Sequence, residues 1–402
     1  MPLTSEDPMM RLLIVSEYID ENQNSTGYFW SKIINRLRRS SENISVLAPS
    51  RFTKYESFEN KPSIARRLFK QISVSLSLAW RMAASADKNS VVFTGTNPAI
   101  LLALTPILKR LFKFKWVLLV HDVFPENMVA AGLIRENNAL FKLISRYFSW
   151  TYSSPDLLLC IGRDMQELLQ AKTHGRAETA FVPNWANGEE VYPTRREEVP
   201  FFSEHAWHKH VVFQFFGNIG RVQGLENLLS GIALSKAKNA AFLFIGGGAS
   251  VPDLEKFIKK NPDKNIKYIG PLPLQEKNKG LAMCDVALVT LERGMLGLGV
   301  PSKAYFSLAA GKPILAAVED ESEIARMIDE HPIGWHCSPD SPEGLAKLID
   351  DICESPDQLL EKKPRSVFLS NYSEEIVLER FAEIIGAFTH CENKRNSTSK
   401  SV

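Results

Sequence analysis

Cysteine is sparse in this chain of 402 residues: there are five (Cys160, Cys284, Cys337, Cys353 and Cys391), with no Cys-x-x-Cys pair and no metal-ligand spacing against histidine. That scatter argues against a disulfide-stapled or zinc-ribbon architecture and reads as reduced cytosolic thiols with no metal site. Long apolar runs are missing too. The longest, Ala99 to Leu108, is interrupted by Pro106 and is about half the length a helix needs to cross a bilayer. Residues 1–10 are polar and lack the apolar stretch of a secretory signal. A soluble or peripheral cytoplasmic protein is expected. An excess of one charge is also lacking: 48 Lys and Arg stand against 46 Asp and Glu, a net +2. So small a balance excludes a chain that works as a whole by binding nucleic acid.

A balanced total conceals one basic stretch. From Arg51 to Val120 there are twelve Lys and Arg against three acids (Glu56, Glu59 and Asp87). Arg66, Arg67 and Lys70 lie beside Leu68 and Phe69, and Lys109, Arg110, Lys113 and Lys115 interleave with Leu108, Leu111, Phe112 and Phe114. Such segments suit either an anionic bilayer surface or helices packed on their own domain with solvated charges.

The length favours two domains. Short runs rich in branched residues alternate with helix-like stretches, the pattern of parallel sheets covered by helices. Strands are expected at Leu12–Val15, Ile44–Ala48, Val91–Thr94, Trp116–Val120, Leu157–Ile161 and Thr179–Val182. A second set follows at Val211–Phe216, Ala241–Ile245, Ile266–Ile269, Val286–Val289 and Ile314–Ala317. The division is 1–190, a polar linker at 191–209, a second domain at 210–370, an amphipathic helix within 371–390, and a Ser-, Asn- and Lys-rich tail at 391–402 expected to be disordered. The fold class is α/β, with two Rossmann-like domains facing a cleft.

Ligands of open α/β sheets bind beyond the carboxyl ends of the strands, where glycine admits close backbone approach and helix N-termini attract anions. Three segments meet that description. Ser25-Thr26-Gly27 precedes a helix and reads equally as a phosphate contact at Gly27 or as a capped turn. The segment Phe216 to Leu225 holds Gly217, Gly220 and Gly224 in the spacing G-x-x-G-x-x-x-G, which disfavours a nicotinamide site. Asn218, Arg221 and Gln223 there offer polar groups to a cleft ligand. The third segment, Gly297 to Tyr305, brings Pro301, Ser302 and Lys303 to one helix start, where a hydroxyl, an ammonium and backbone N–H groups suit a diphosphate.

Pro301 to Pro313 resembles the P-S-K-x-Y-x-x-L-A-A-G-K-P signature of retaining family 4 glycosyltransferases that build bacterial capsule, O-antigen and exopolysaccharide. Leu12, Ile14, Val15 and Ser16, then His121-Asp122-Val123-Phe124-Pro125-Glu126, Val182-Pro183-Asn184-Trp185, Gly217-Asn218-Ile219-Gly220 with Gln223-Gly224, and the turn Gly246-Gly247-Gly248 agree in order. The resemblance implies a GT-B fold without cofactor or essential metal. It implies a nucleotide diphosphate sugar, UDP-linked, held mainly by the C-terminal domain, through Asn218, Arg221, Gln223, Gly247, Pro301, Ser302, Lys303 and Glu323, with Gly27 of the N-terminal domain as a further donor contact. His121, Asp122 and Glu126 would serve the transferred sugar or the acceptor hydroxyl. The implied acceptor is a lipid-linked glycan bound by the N-terminal domain at the anionic inner leaflet, and retention would follow from departure and attack on one sugar face. Many relatives carry E-x7-E, but Leu298 and Phe306 occupy those positions, and the usual diphosphate Arg and Lys fall on Asn218 and Gln223. An epimerase or phosphorylase on the same scaffold, or a non-catalytic subunit of a polysaccharide assembly complex, are the competing readings.

Overall fold

The computed structural model describes residues 10–21, 23–41, 43–49, 64–132, 134–199 and 207–398, without the side chains of 64–68, 197, 274 and 390–398. The first half contains β1 (Arg11–Val15), α1 (Ser25–Ser40), β2 (Ile44–Leu47), α2 (Ile64–Ser85), β3 (Ser90–Gly95), α3 (Ala99–Phe112), β4 (Lys115–Val120), α4 (Glu126–Ala130), α5 (Ala139–Tyr152), β5 (Leu157–Cys160), α6 (Arg163–Thr173) and β6 (Glu178–Phe181). The second contains β7 (Val211–Phe216), α7 (Leu225–Leu234), β8 (Ala240–Ile245), α8 (Val251–Lys260), β9 (Ile266–Tyr268), α9 (Lys277–Ala282), β10 (Val286–Thr290), α10 (Lys303–Ala309), β11 (Ile314–Ala317), α11 (Glu323–Glu330) and β12 (Gly334–Cys337). Four helices close the chain: α12 (Pro342–Glu354), α13 (Gln358–Glu361), α14 (Pro364–Asn371) and α15 (Glu374–Thr398).

Each half forms a six-stranded parallel sheet, in the orders β2-β1-β3-β4-β5-β6 and β12-β11-β10-β7-β8-β9. The central strands are buried on both faces, which explains their unbroken apolar sequences: β4 reads KWVLLV and β8 reads AAFLFI. All eleven expected strands are present. The twelfth, β12, is a short edge strand, Gly-Trp-His-Cys, with no apolar run to announce it. Its register against β11 is admitted by Gly334, where a Cβ would stand 2.0 Å from the Ile314 carbonyl oxygen.

The last helix returns to the first half. α15 lies against α1, with the Phe381 ring 5.7 Å from Trp185 and the Tyr28 hydroxyl 3.3 Å from Glu374 Oε2. It runs to Thr398, into the stretch whose composition suggested a disordered tail. One apolar cluster therefore passes from the first sheet through Tyr305, Leu308 and Ile324 of the second half to Phe381 and Ile385 of α15. Two further clusters cover the second sheet on its opposite sides.

Charged contacts add to that apolar seam. The Arg163 backbone N–H and Nε donate to Glu323 Oε2 at 2.8 and 2.9 Å, and Arg163 also pairs with Glu330. Arg326 makes a bidentate pair with Glu167 at 2.7 Å on the surface. Glu323 is fully buried whereas Glu167 is exposed, so the two pairs should respond differently to truncation. Arg163→Ala strands a buried carboxylate and is expected to cost about 2 kcal/mol, less than a fully enclosed pair because the guanidinium keeps some water. Arg326→Ala should cost under about 1 kcal/mol. Urea unfolding of both variants checks the ranking; equal losses would show that Glu323 finds another partner.

Candidate active site

The segments that follow five strands, β1, β4, β7, β9 and β10, line a cavity of about 480 Å³ between the halves. Its floor comes from the second sheet. After β7 the chain turns at Gly217, whose φ of 138° is open to glycine, and Gly246 after β8 has φ 136°. A Cβ on Gly246 would come within 1.8 Å of the Gly217 carbonyl oxygen, and one on Gly248 within 2.1 Å of the Ile219 carbonyl oxygen. The two loops thus pack backbone on backbone, and the Ile219 N–H donates to the Gly247 carbonyl at 2.9 Å. The glycine triplet holds the loop that presents Asn218 and Gln223. Gly247 does not itself line the cavity.

Lys303 begins α10 and points across Phe215. Its Nζ is 2.6 Å from Gln223 Oε1 and 3.6 Å from the centre of the Phe215 ring. Burial lowers its pKa to about 7, because neither an amide nor a ring replaces the water an ammonium loses. Pro301 and Ser302 line the same wall, and the Ser302 hydroxyl makes no capping bond.

The opposite wall is the end of β4. Asp122 enters the cavity and accepts from Asn97 Nδ2 at 3.4 Å. Burial raises its carboxyl, and the Asn97 bond opposes the rise. His121 sits behind it, packed on Phe29 at 6.4 Å, and burial lowers its imidazole to about 4. It is neutral near pH 7. Of the first glycine segment, Ser25 reaches the cavity. Gly27 instead allows a tight turn: its N–H donates to Asn24 Oδ1 at 2.9 Å, and a Cβ would stand 2.2 Å from the Asp20 carbonyl oxygen.

Asp122, Asn218, Gln223, Pro301, Ser302 and Lys303 are thus brought together as the sequence suggested. Glu126, Arg221 and Glu323 are not. Glu126 faces α5 and α6, pairing with Lys172 and accepting from Ser145 at 3.2 Å. Arg221 lines a separate groove with Glu226, Asp253 and Lys256. Glu323 is consumed by Arg163.

Sequence reasoning missed Lys277, Leu272 and Pro273. The last two follow β9, and the strand-end rule points there. Lys277 had no such signal: its Nζ lies 4.5 Å from the Phe306 ring and 5.0 Å from the Tyr28 ring, and burial lowers its pKa. Leu298, at the first missing glutamate position, is buried and its carbonyl accepts from Val123 N–H at 3.0 Å. Phe306, at the second, lines the cavity. Among the described residues no cluster of three or more His, Cys, Asp or Glu is arranged to hold a metal.

Two parallel-sheet α/β domains facing one cleft define a GT-B fold. The chain belongs to the family of glycosyl transferases group 1, whose model matches residues 198–366, and is a glycosyltransferase. It is 48% identical over 391 residues, 94% of this chain and 98% of the other, to a Pseudomonas aeruginosa protein named as probable glycosyltransferase WbjE. It is 24% identical over 299 residues, 72% of each chain, to an Escherichia coli (strain K12) protein named for a colanic acid biosynthesis glycosyl transferase, WcaI. Among solved structures, sucrose-phosphate synthase from Thermosynechococcus elongatus has TM-score 0.72 at 12% identity, over 95% of this chain and 100% of that one. Anabaena HepE in complex with UDP-glucose has TM-score 0.67 at 13% identity, over 94% and 100%.

The lowered pKa of Lys303 has a measurable sign. A bound diphosphate favours the ammonium, so its pKa rises on binding, and above pH 7 binding must take up a proton. If a diphosphate such as UDP enters the cavity, its affinity should therefore fall with rising pH, by up to about tenfold per unit above pH 7 until the bound-state pKa is reached. Calorimetry in buffers of different ionisation enthalpy measures the uptake. A pH-independent affinity from pH 7 to 9 in the parent would remove Lys303 from the phosphate contact.

Proposed function

We propose that this glycosyltransferase moves a hexose-type residue, with retention, from a UDP-linked sugar to a lipid-linked oligosaccharide in bacterial surface polysaccharide synthesis. The observation that carries the donor reading is Lys303, held beside Gln223 and Ser302 in the cavity wall with no carboxylate paired to it among the described residues. An anion supplied by substrate completes it. The UDP-glucose complex of HepE, which shares the fold, supports a nucleotide sugar as that anion. The named role of WcaI in colanic acid biosynthesis supports a polysaccharide product.

In this reading the glycosidic carbon–oxygen bond to the diphosphate breaks as the acceptor oxygen approaches on the same face. Lys303 and Ser302 stabilise charge gathering on the leaving oxygens. The departing phosphate takes the proton of the acceptor hydroxyl, so no second carboxylate is required and neither Glu126 nor Glu323 need enter the cleft. Asp122, across the cavity and kept in place by Asn97, orients the sugar or the incoming hydroxyl. Neutral His121 supports that strand end. The enzyme works on the cytoplasmic face of the inner membrane, where a lipid-linked acceptor is presented; among the described residues no helix is long and apolar enough to cross it.

Lys303→Ala should weaken UDP binding about 10-fold to 100-fold, the worth of one charge-assisted contact, with unfolding unchanged to within about 1 kcal/mol. Asp122→Asn should lower turnover by about 100-fold while UDP affinity stays within about twofold. Titration calorimetry and a radiolabelled UDP-sugar assay with membrane lipid extract separate the two effects. Wild-type turnover in Asp122→Asn would place the acceptor elsewhere.

A further inference from the structure

α2, α3, α5 and α6 adjoin one after another along the first domain, while α1 pairs with α15. The right-handed crossovers of a parallel sheet put these two groups on opposite faces. α2 is apolar on two sides. Leu78, Ala79 and Met82 are buried against the sheet, but Phe69, Ile72, Leu76 and Trp80 recur at helical spacing on the outside. Ile107 and Leu111 continue the outer stripe on α3, and Leu140, Leu143 and Tyr147 on α5. Nine of the fourteen large apolar side chains exposed among the described residues lie on these three helices. Phe69 and Trp80 are each 74% exposed, Leu111 68% and Leu143 67%. Ordinary scatter of surface hydrophobics does not concentrate in this way.

The charges on the same helices have one sign. α2, α3 and α5 contain no Asp or Glu. Arg110, Lys113, Lys142 and Arg146 are exposed around the apolar stripe. Lys109 is engaged internally, 2.6 Å from Asp156 Oδ2, and Arg110 lies 5.7 Å over the Trp150 ring. Lys70 lies on α2 between the stripe and a charge interaction with Glu17. The side chains of Arg66 and Arg67 lie outside the described residues.

We propose that this α2–α3–α5 face seats the enzyme on an anionic lipid bilayer, with Phe69, Leu76, Trp80, Leu111 and Leu143 entering the interfacial layer and the four exposed cations meeting the headgroups. The proposal rests on the reading of a lipid-linked acceptor and gives that acceptor a physical meeting place. Two features select a bilayer over a second copy of the chain. A twofold contact would oppose two surfaces that are both basic and lack acids, whereas an anionic leaflet is complementary. Exposed Trp and Tyr beside Arg and Lys also match the amphipathic composition that headgroup regions solvate. The apolar component makes attachment only partly sensitive to salt, because screening weakens the charge attraction and leaves burial intact.

Co-sedimentation of the full chain with phosphatidylcholine vesicles, with and without phosphatidylglycerol, tests this without donor or acceptor. The parent should bind the anionic vesicles strongly, lose part of that binding in molar salt, and keep a weaker partition onto neutral ones. Phe69→Ser/Leu76→Ser/Trp80→Ser should lose about tenfold or more in partition at either salt, with UDP affinity and unfolding unchanged because the removed side chains face water. Arg110→Gln/Lys113→Gln/Lys142→Gln/Arg146→Gln should abolish the preference for anionic vesicles and spare the neutral partition. A serine variant that binds as well as the parent overturns the proposal, as does a parent dimer, sized by light scattering, that the serine changes dissociate. Tight vesicle binding without sugar transfer to any lipid extract would instead leave the surface standing and sink the acceptor reading.

Discussion

The loop from Leu291 to Ser302, which leaves β10 in the second sheet, is bonded to the first domain from Gly297 to Val300, and the cleft exists in its present form because of it. Val123 N–H donates to the Leu298 carbonyl at 3.0 Å, Asp122 and Gly299 form a bridge, and Gly297 N–H donates to Asp164 Oδ2 at 3.0 Å. Asn184 Nδ2 reaches the Val300 carbonyl at 3.4 Å. These bonds carry the loop past the end of β4 and start α10 where Lys303 faces Asp122. Gly297, with φ 72°, supplies the reversal, and a side chain there would press on Leu168 and the Asp164 carbonyl at about 3 Å. The Asp122 wall of one domain and the Lys303 wall of the other are thereby set by a single stretch of backbone.

In the proposed reading, that geometry shows how the site could do without the residues that the resemblance led one to expect at positions 218, 223, 298 and 306. With the neutral Asn218 and Gln223 on the β7 loop, the cation of this wall comes from elsewhere, and Lys303 delivers it to the end of the Gln223 side chain. Gln223 contributes an acceptor that orients the ammonium without neutralising it. The amide leaves the positive charge for a ligand, whereas a carboxylate at the same place would have satisfied it internally. Leu298 shows the other kind of replacement: the position has passed into the apolar seam, where its backbone still holds β4 but its side chain can do only packing.

The strands were legible because a strand buried on both faces writes itself as an apolar run, and the residues of the second domain that meet in the cavity because glycine and Pro-Ser-Lys spacing carries a local mechanism. What failed to show shares one cause. Glu126 and Glu323 look available in the sequence, yet each is spent on a partner distant in the chain, Lys172 in one case and Arg163 in the other. A carboxylate's partner 46 or 160 positions away has no local signature. The outer stripe of α2 was hidden differently. Its helix is apolar on two sides, and periodicity reports a hydrophobic face without saying which of two faces the sheet will cover.

Phe306 and Lys277 extend the same logic to the remaining departure from the family pattern. The second acid that the resemblance led one to expect would have stood in the cavity beside Lys277, and a carboxylate 4 to 5 Å from an ammonium would have formed an ion pair, at the expense of ligand contact. With a ring in that place, 4.5 Å from the ammonium on one side while Tyr28 lies 5.0 Å away on the other, the cation is held by π faces. Such contacts are individually weak. They fix position without quenching charge, and Lys277 keeps a pKa lowered by burial, with Lys32 pushing it the same way and Glu190 opposing. The cavity therefore carries two underneutralised lysines, one on α10 and one on α9, against the single carboxylate of Asp122 among its lining residues. In the proposed reading a dianionic leaving group would match an excess of that sign over that small volume, and an aromatic ring at position 306, where an acid would oppose it, preserves that excess.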